Sequence, residues 1–201
     1  MPSLSKNMMK IGLTGGIATG KSSVSRYLRE KGYQVIDADS LVHELQAPGG
    51  QLYKLLLEKL GPVILHEDGS LNRPLLAERF FQNQDLRSWS DQAQGAIIRQ
   101  ELRALMERAE EGELLFMDIP LLFEQDYETW FDQIWLVTAP EEVQMERLMA
   151  RNNLDIKAAK ARIASQMPLE AKKKRAHFLL DNGGSLEATY QQIDRALERM
   201  D

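Results

Sequence analysis

The stretch Gly15-Gly16-Ile17-Ala18-Thr19-Gly20-Lys21-Ser22 fits the pattern G-x-x-x-x-G-K-[ST], the Walker A motif of loops that bind phosphate. An apolar run, Lys10–Thr14, precedes it, and a segment with helical spacing of apolar residues follows it. In such a loop the glycines let backbone N–H groups point inward, the lysine reaches the β- and γ-phosphates, and the serine hydroxyl binds Mg²⁺. The sequence therefore predicts a strand–loop–helix unit that binds a nucleoside triphosphate.

The composition excludes several classes of function. The chain has 201 residues, no cysteine and a net charge of −5. Disulfides, thiol nucleophiles and Cys-ligated metals are excluded, and the negative charge disfavours non-specific binding of nucleic acid. No apolar run reaches the roughly 18 residues of a membrane span, and the opening residues lack the apolar region of a signal peptide. We therefore expect a cytoplasmic protein that binds neither membrane nor nucleic acid, a monomer or small homo-oligomer with a leader over residues 1–8.

Strand-like runs alternate with longer amphipathic stretches, which is typical of an α/β fold with a parallel sheet. The helix after the phosphate-binding loop is predicted over Lys21–Lys31, because apolar residues recur at helical spacing and Gly32 ends the run. Five strands are predicted, at Lys10–Thr14, Tyr33–Asp37, Leu114–Asp118, Gln133–Thr138 and His177–Leu180.

The regions between these strands predict the domain organisation. A long stretch from 40 to 112 indicates several helices with turns at Pro48-Gly49-Gly50, Gly61-Pro62 and Glu67–Ser70, so we interpret it as a substrate-covering insertion. A second insertion, 147–175, is rich in Arg, Lys, Met and Gln and is predicted to be a lid. The remaining segments, 9–39, 113–146 and 176–201, form the predicted core of a single unit over 9–201.

Three acidic residues stand where parallel strands are predicted to end. Ligands of open α/β sheets collect outside the carboxyl ends of strands. Asp39 follows the second strand and is a candidate general base for an acceptor hydroxyl, with the N-cap of a helix beginning near Ser40 as the alternative. Asp37 has the same two interpretations. Asp118 ends the third strand, at the position of an acid that holds Mg²⁺, although turn chemistry also favours Asp there.

Other candidates are less specific. The apolar segment Pro120–Phe123 could belong to the core or form a wall for the substrate, and Arg73 could be a solvated charge or a contact to the acceptor. Arg147 and Arg151 lie in the basic second insertion, where lid arginines of kinases close on the triphosphate. The three histidines show no spacing of a metal site or catalytic dyad.

The order of these motifs resembles the dephospho-CoA kinase family. The resemblance runs from about Met9 to the last helix, and its most specific element is Asp118-Ile119-Pro120-Leu121-Leu122-Phe123-Glu124. It implies a P-loop kinase fold with a five-stranded parallel sheet flanked by helices, a helical CoA-binding insertion and a lid. The implied reaction is ATP-dependent phosphorylation of the ribose 3′-hydroxyl of dephospho-CoA to CoA and ADP, with Mg²⁺, as the final step of coenzyme A synthesis.

The resemblance also implies roles for residues. Lys21 and Asp39 would be catalytic, with Asp39 activating the acceptor hydroxyl. ATP would be bound by Gly15, Gly16, Ala18, Thr19, Gly20, Lys21, Ser22, Ser23, Arg147 and Arg151. The acceptor would be bound by Asp39, Arg73, Asp118, Pro120, Leu121, Leu122 and Phe123, and the metal by Ser22 and Asp118. Three departures from the family pattern stand out: Ala18-Thr19 in place of Gly-Ser, Gly95-Ala96 in place of His-Pro, and Ala176-His177 in place of Ala-Asp.

Two alternative functions remain open on the motifs alone. Another small-molecule or nucleotide kinase would use the same loop, metal and lid. A nucleotide-dependent switch is the second alternative, although Asn152-Asn153-Leu154-Asp155 lacks the lysine of a guanine-specific element.

Overall fold

The computed structural model of the protein describes residues 8–109 and 114–200. The strands are β1 (Met9–Gly15), β2 (Gln34–Asp37), β3 (Leu114–Asp118), β4 (Gln133–Thr138) and β5 (Phe178–Asp181). The helices found in these residues are α1 (Lys21–Glu30), α2 (Ala38–Leu45), α3 (Gln51–Leu60), α4 (Arg73–Gln82), α5 (Gln84–Glu107), α6 (Glu141–Asn152), α7 (Ile156–Ala164), α8 (Leu169–Lys173) and α9 (Leu186–Leu197). Residues 1–7 of the predicted leader lie outside the described residues.

The five strands form one parallel sheet in the order β2-β3-β1-β4-β5. The central strand β1 pairs with β3 on one side and β4 on the other, and Leu13 is in register with both Asp118 and Trp135. The predicted α/β class and five strands are confirmed. The bounds differ little: β5 begins and ends one residue after the predicted strand, and α1 ends one residue early.

The described residues divide into two compact units, and the sheet belongs to the first, which comprises residues up to Ile36 and from Leu114 onward. Its core lies between the sheet and helices α1 and α9. Trp135 and Val137 of β4 pack with Val24 and Leu28 of α1, and all four are fully buried. Burial of each such side chain stabilises the fold by roughly 1.5–3 kcal/mol. This core supports the carboxyl end of β1, where the phosphate-binding loop begins.

The second unit is helical and comprises Asp37–Ala109, with α2 to α5 and a 3₁₀ turn at Pro62–Ile64. Its small core contains Leu56, Ile64, Leu71 and Leu76. The predicted turns in this stretch are confirmed: α3 begins after Gly50 and ends before Gly61, and the Gly69 N–H donates to the His66 carbonyl oxygen at 3.0 Å in the third turn.

The start of α2 corrects one of the sequence-based alternatives. The helix begins at Ala38, and its N-cap is Asp37, whose carboxylate accepts a hydrogen bond from the Ser40 N–H at 3.0 Å. The alternative in which Asp39 caps a helix beginning near Ser40 is therefore wrong. Asp39 lies in the first turn, where a negative charge also stabilises the helix dipole.

Candidate active site

The loop between β1 and α1 is a tight turn with local backbone strain. Ala18 and Gly20 have positive φ angles, 57° and 87°. The Thr19 hydroxyl donates to the Gly16 carbonyl oxygen at 2.9 Å, and Thr19 is fully buried. A positive φ costs a residue with a Cβ about 1–2 kcal/mol, so the surrounding contacts must offset the strain at Ala18.

Asn182, the residue after β5, holds the second half of this loop. Its Nδ2 donates to the Thr19 carbonyl oxygen at 2.7 Å, and its Oδ1 accepts from the Thr189 hydroxyl at 2.9 Å. Arg147 donates to the carbonyl oxygens of Thr19 and Asn182, at 3.4 and 2.9 Å. Asn182 is only 2% exposed. A Cβ at Gly20 would lie 2.0 Å from Asn182 Nδ2, so this position has room only for glycine.

Asp118 ends β3 beside the start of α1 and is almost fully buried. Its Oδ1 pairs with the ammonium group of Lys21, and its Oδ2 accepts from the Ser25 hydroxyl at 2.5 Å. A buried carboxylate requires such partners, because an unpaired charge in the interior is costly. The sheet therefore brings together the lysine of the phosphate-binding loop and the acid predicted at the end of the third strand.

The segment after β3 lies against the end of β1. The Thr14 hydroxyl donates to the Pro120 carbonyl oxygen at 3.1 Å, which fixes the direction in which the chain leaves the strand. The side chains of Leu122 and Phe123 are buried, whereas Pro120 and Leu121 are partly exposed. Two of the four apolar side chains therefore belong to the core, and the other two lie partly exposed at the protein surface.

The connection between α7 and α8 contacts both of these loops. Gln166 accepts through Oε1 from the Ile17 N–H at 3.0 Å. The next residue, Met167, donates its N–H to Glu124 Oε1 at 3.1 Å. Lys172 is fully buried, and its Nζ lies 2.8 Å from the same Glu124 oxygen. We refer to Gln166–Lys172 as the strap.

A second ion pair lies three residues after the strap. Arg175 pairs with Glu128, and its guanidinium lies 5.0 Å from the centre of the Phe123 ring. The hydrogen bonds that Arg175 donates to the Glu128 carboxylate raise the pKa of Arg175 above its ordinary value, so this cation stays charged throughout the accessible pH range.

The two predicted lid arginines lie on α6 in different surroundings. Arg147 binds backbone carbonyl groups of the phosphate-binding loop and of Asn182. Arg151, one turn later, is exposed, and its Nε donates to Asn152 Oδ1 at 2.9 Å. Only Arg147 therefore contacts the loop in this structure.

A cavity of about 890 Å³ lies among the phosphate-binding loop, the end of β4 and helices α7 and α8. Its lining is mostly apolar and includes Ile17, Pro140, Ile163, Met167, Leu169 and Leu179. The side chain of Gln166 also lines this space, beside the loop.

Asp39 and Arg73 belong to the helical unit. Asp39 is exposed in the first turn of α2. Arg73 is the first residue of α4, and its Nη2 lies 2.9 Å from His43 Nδ1. The histidine to which the sequence assigned no role is thus a partner of a predicted acceptor contact.

The comparisons with known proteins agree on one family. The family model described as Dephospho-CoA kinase matches residues 9–188. The chain is 52% identical to a dephospho-CoA kinase of Streptococcus pneumoniae over 189 residues, which covers 94% of each chain. The protein belongs to the dephospho-CoA kinase family. The predicted family is confirmed.

Solved structures confirm the predicted P-loop kinase fold. A protein from Thermus thermophilus superposes with a TM-score of 0.82 and 34% identity, covering 98% of this chain and 100% of the other. A dephospho-CoA kinase from Campylobacter jejuni superposes with a TM-score of 0.73 and 26% identity, covering 95% and 96%. Within the described residues, no helix combines the length and apolarity needed to cross a membrane.

Several residues of this site were not found from the sequence. Asn182 and Ser25 are small polar residues to which the sequence assigned no role, and their contacts join segments more than 90 positions apart. Gln166 carries no periodicity signal, because it lies between two helices just before a Met-Pro pair. The signal for Asn182 was its place at the end of a predicted strand, where ligands collect in α/β folds.

Proposed function

We propose that this protein transfers the γ-phosphoryl group of ATP to the ribose 3′-hydroxyl of dephospho-CoA, giving CoA and ADP. This is the last step of coenzyme A synthesis. The observation that carries the proposal is the family match over residues 9–188, which includes the phosphate-binding loop and the segment after β3. Since ATP and CoA precursors are cytoplasmic metabolites, the proposed location is the cytoplasm, as a monomer or small homo-oligomer.

The proposed ATP site is the loop itself. Backbone N–H groups of Gly15, Gly16 and Ala18–Ser23 would bind the phosphates, with Lys21 neutralising the β- and γ-phosphates. The contact between Lys21 and Asp118 supports this role, because it keeps the ammonium group at the start of α1. Arg147 and Arg151 are the proposed lid contacts, and the position of Arg147 beside Thr19 favours it of the two.

The residues at this site fit Mg²⁺. This ion keeps several waters and is usually held by one or two carboxylates together with substrate phosphates. Ser22 is exposed at the first turn of α1, and Asp118 supplies the carboxylate. The described residues contain no group of three or more acidic or histidine side chains that could hold a metal. When bound, the ion would neutralise charge on the transferring phosphoryl group.

The proposed acceptor site includes Asp39, Arg73 and the segment Pro120–Phe123 with Asp118. In the proposed step the 3′-hydroxyl oxygen attacks the γ-phosphorus, and its proton passes to the Asp39 carboxylate. The bond between the γ-phosphorus and the bridging oxygen breaks, and ADP leaves. Arg73 would pair with an anionic group of the acceptor, and the partly exposed side chains of Pro120 and Leu121 would contact its apolar part.

The test is an ADP-release assay with ATP and Mg²⁺ that compares dephospho-CoA with adenosine, AMP and shikimate. We expect strong turnover only with dephospho-CoA, and a product with the mass of CoA. Turnover with another acceptor in its place would overturn the substrate assignment but leave the phosphate-binding loop in use.

The role of Asp39 is tested by Asp39→Asn. A positioned base contributes about 10²–10⁴-fold to such steps, so kcat should fall by that order while ATP binding, measured by thermal protection, is retained. A matched variant is Asp91→Asn, an exposed aspartate of α5, which should leave kcat unchanged. Near wild-type turnover of Asp39→Asn would exclude the proposed base.

A further inference from the structure

The amino half of the phosphate-binding loop has a partner from a distant part of the chain. The Ile17 N–H donates to Oε1 of Gln166, 149 positions later, at 3.0 Å. The proposed contacts to the ATP phosphates use the N–H groups of Gly15, Gly16 and Ala18–Ser23, and the Ile17 N–H is not among them. The bond between Ile17 and Gln166 therefore leaves those N–H groups to the phosphates and can persist when ATP is bound.

Gln166 is fixed in place by its own chain neighbours. The N–H of Met167 donates to Glu124 Oε1, and buried Lys172 pairs with the same oxygen. The strap is thus attached to the segment after β3 on one side and to the phosphate-binding loop on the other. A side chain whose neighbouring backbone and acceptor oxygen are both held loses little further conformational entropy when it contacts a ligand.

The other end of the same amide is unused. A glutamine side chain has one acceptor oxygen and an NH₂ group with two donors. The oxygen is committed to the Ile17 N–H, which fixes the orientation of the amide. Among the residues that the structure describes, none accepts a hydrogen bond from Gln166 Nε2, and the side chain lies at the wall of the cavity beside the loop.

We propose that Gln166 is a phosphate-contacting residue of the kinase reaction: Nε2 donates a hydrogen bond to an oxygen of the terminal phosphoryl group of ATP. This inference rests on the proposed function. A donor that is already oriented stabilises the charge that builds on the transferring group without further reorganisation. Unlike the arginines, Gln166 contributes a neutral donor, so its contribution depends on direction rather than on charge.

The experiment compares two substitutions that separate the two ends of the amide. Gln166→Glu keeps an oxygen that accepts from the Ile17 N–H but replaces the donor by a second, negatively charged oxygen. Gln166→Met keeps the length and removes both functions. Gln191→Glu is the matched control, because Gln191 is exposed on α9 and undergoes the same change of charge. The measurements are kcat and KM with dephospho-CoA, and the affinities for ATP and ADP.

We expect kcat to fall at least about tenfold in both Gln166 variants, with Gln166→Glu no better than Gln166→Met. We also expect Gln166→Glu to weaken ATP binding several-fold more than ADP binding, because only ATP carries the terminal phosphate. Gln191→Glu should match the wild type. If Gln166→Glu retains kcat within about twofold, the side chain serves only as an acceptor for Ile17 and the proposal is wrong. ADP affinity close to that of the wild type would show that a variant is folded.

The test of Gln166 can fail or succeed independently of the test of the proposed function. If the wild type makes no CoA, the substrate assignment fails, and the ratio of ATP to ADP affinity in Gln166→Glu still tests the contact to the terminal phosphate. An unchanged ratio would then overturn the inference about Gln166.

Discussion

The two halves of the phosphate-binding loop are held by different kinds of contact. The carboxyl half, at Thr19 and Gly20, packs against the buried amide of Asn182. The amino half, at Ile17, is held by Gln166, whose side chain is only half-buried. Loss of a buried hydrogen bond leaves unpaired polar groups in the interior, whereas the groups of a partly exposed one can pair with water, so the loss of the buried bond costs more stability. Buried contacts therefore hold the shape of the carboxyl half, and the amino half is joined to the strap.

Contacts between α1 and α9 also support the carboxyl half of the loop. Helix α1 begins directly after Gly20, and α9 follows Asn182 by a few residues. Tyr27 and Tyr190 stack with ring centres 3.9 Å apart, and the Tyr27 hydroxyl donates to Asp194. These contacts fix the two segments that meet at the Thr19 carbonyl group.

The largest effect is expected from Gly20→Ala. The new Cβ would meet Asn182 Nδ2 at 2.0 Å, and the residue would keep a positive φ. Positive φ costs about 1–2 kcal/mol and overpacking about 1–3 kcal/mol, so the free energy of unfolding should fall by about 2–5 kcal/mol. Chemical denaturation measures this loss, and ATP protection in thermal melts should disappear with it.

Gly16→Ala is the matched substitution in the amino half. Its Cβ would lie 3.1 Å from Gln144 Oε1, and the backbone has no positive φ, so we expect a much smaller loss. Asn182→Ala should partly relieve Gly20→Ala, so the double variant should be more stable than additivity predicts. Equal losses at Gly16 and Gly20 would contradict the difference between the halves.

Asn182→Ala is expected to have the next largest effect. It removes a buried donor to the Thr19 carbonyl oxygen and the acceptor for Thr189, so the free energy of unfolding should fall by about 1–3 kcal/mol. Asn182→Asp should cost more, because a carboxylate oxygen would face that carbonyl oxygen. Gln166→Ala, in the partly exposed contact, should change stability by less than about 1 kcal/mol. Urea denaturation of the three variants gives the ranking, and a Gln166 loss as large as that of Asn182 would refute it.

Gly95→Ala applies the same substitution away from the loop and should have the opposite sign. Gly95 lies inside α5, with no atom within 4 Å of an added Cβ. Since glycine within a helix is less stable than alanine by about 0.5–1 kcal/mol, the variant should be more stable by that amount. A raised denaturation midpoint with unchanged slope would bear this out, and a lowered midpoint would show that the position has a role that its surroundings do not indicate.

The smallest effect concerns pH and the link between α1 and α9. The hydrogen bond from Lys31 lowers the pKa of Asp194 below the ordinary 3.8, so its stabilising contribution is present above that value and is lost as pH falls through the lowered pKa. Burial and the Asp194 hydrogen bond raise the pKa of Tyr27, so that contribution is lost above about pH 10.

Melting temperatures of the wild type and Asp194→Asn, followed from about pH 6 to about pH 3, test the acidic window. The wild type should lose more stability than the variant over this range. The difference should be small, because both side chains of the pair are about one-third exposed or more. Parallel curves for the two proteins would show that the pair contributes nothing.

The parts of the site that the sequence predicted are those that a local pattern defines. The loop Gly15–Ser22 was found because each residue type has its own task at fixed spacing. Asp118 was found because a buried strand ends there, and parallel strands end at the same edge of a sheet. The capping alternative for Asp39 was wrong by two residues, since neighbouring aspartates compete for the same helix start and only backbone geometry decides between them.

The sequence by itself determined the fold class, the nucleotide loop and the family, because these depend on periodicity and on short motifs. Only the tertiary structure decided which residues hold the loop. Asn182 and Gln166 reach it from 163 and 149 positions away, and no local pattern distinguishes either from an ordinary surface amide. Their partners are backbone groups, which every residue carries, so the partner's residue type gives no signal. These contacts form because the strand order β2-β3-β1-β4-β5 and the helices packed on the sheet bring the segments together.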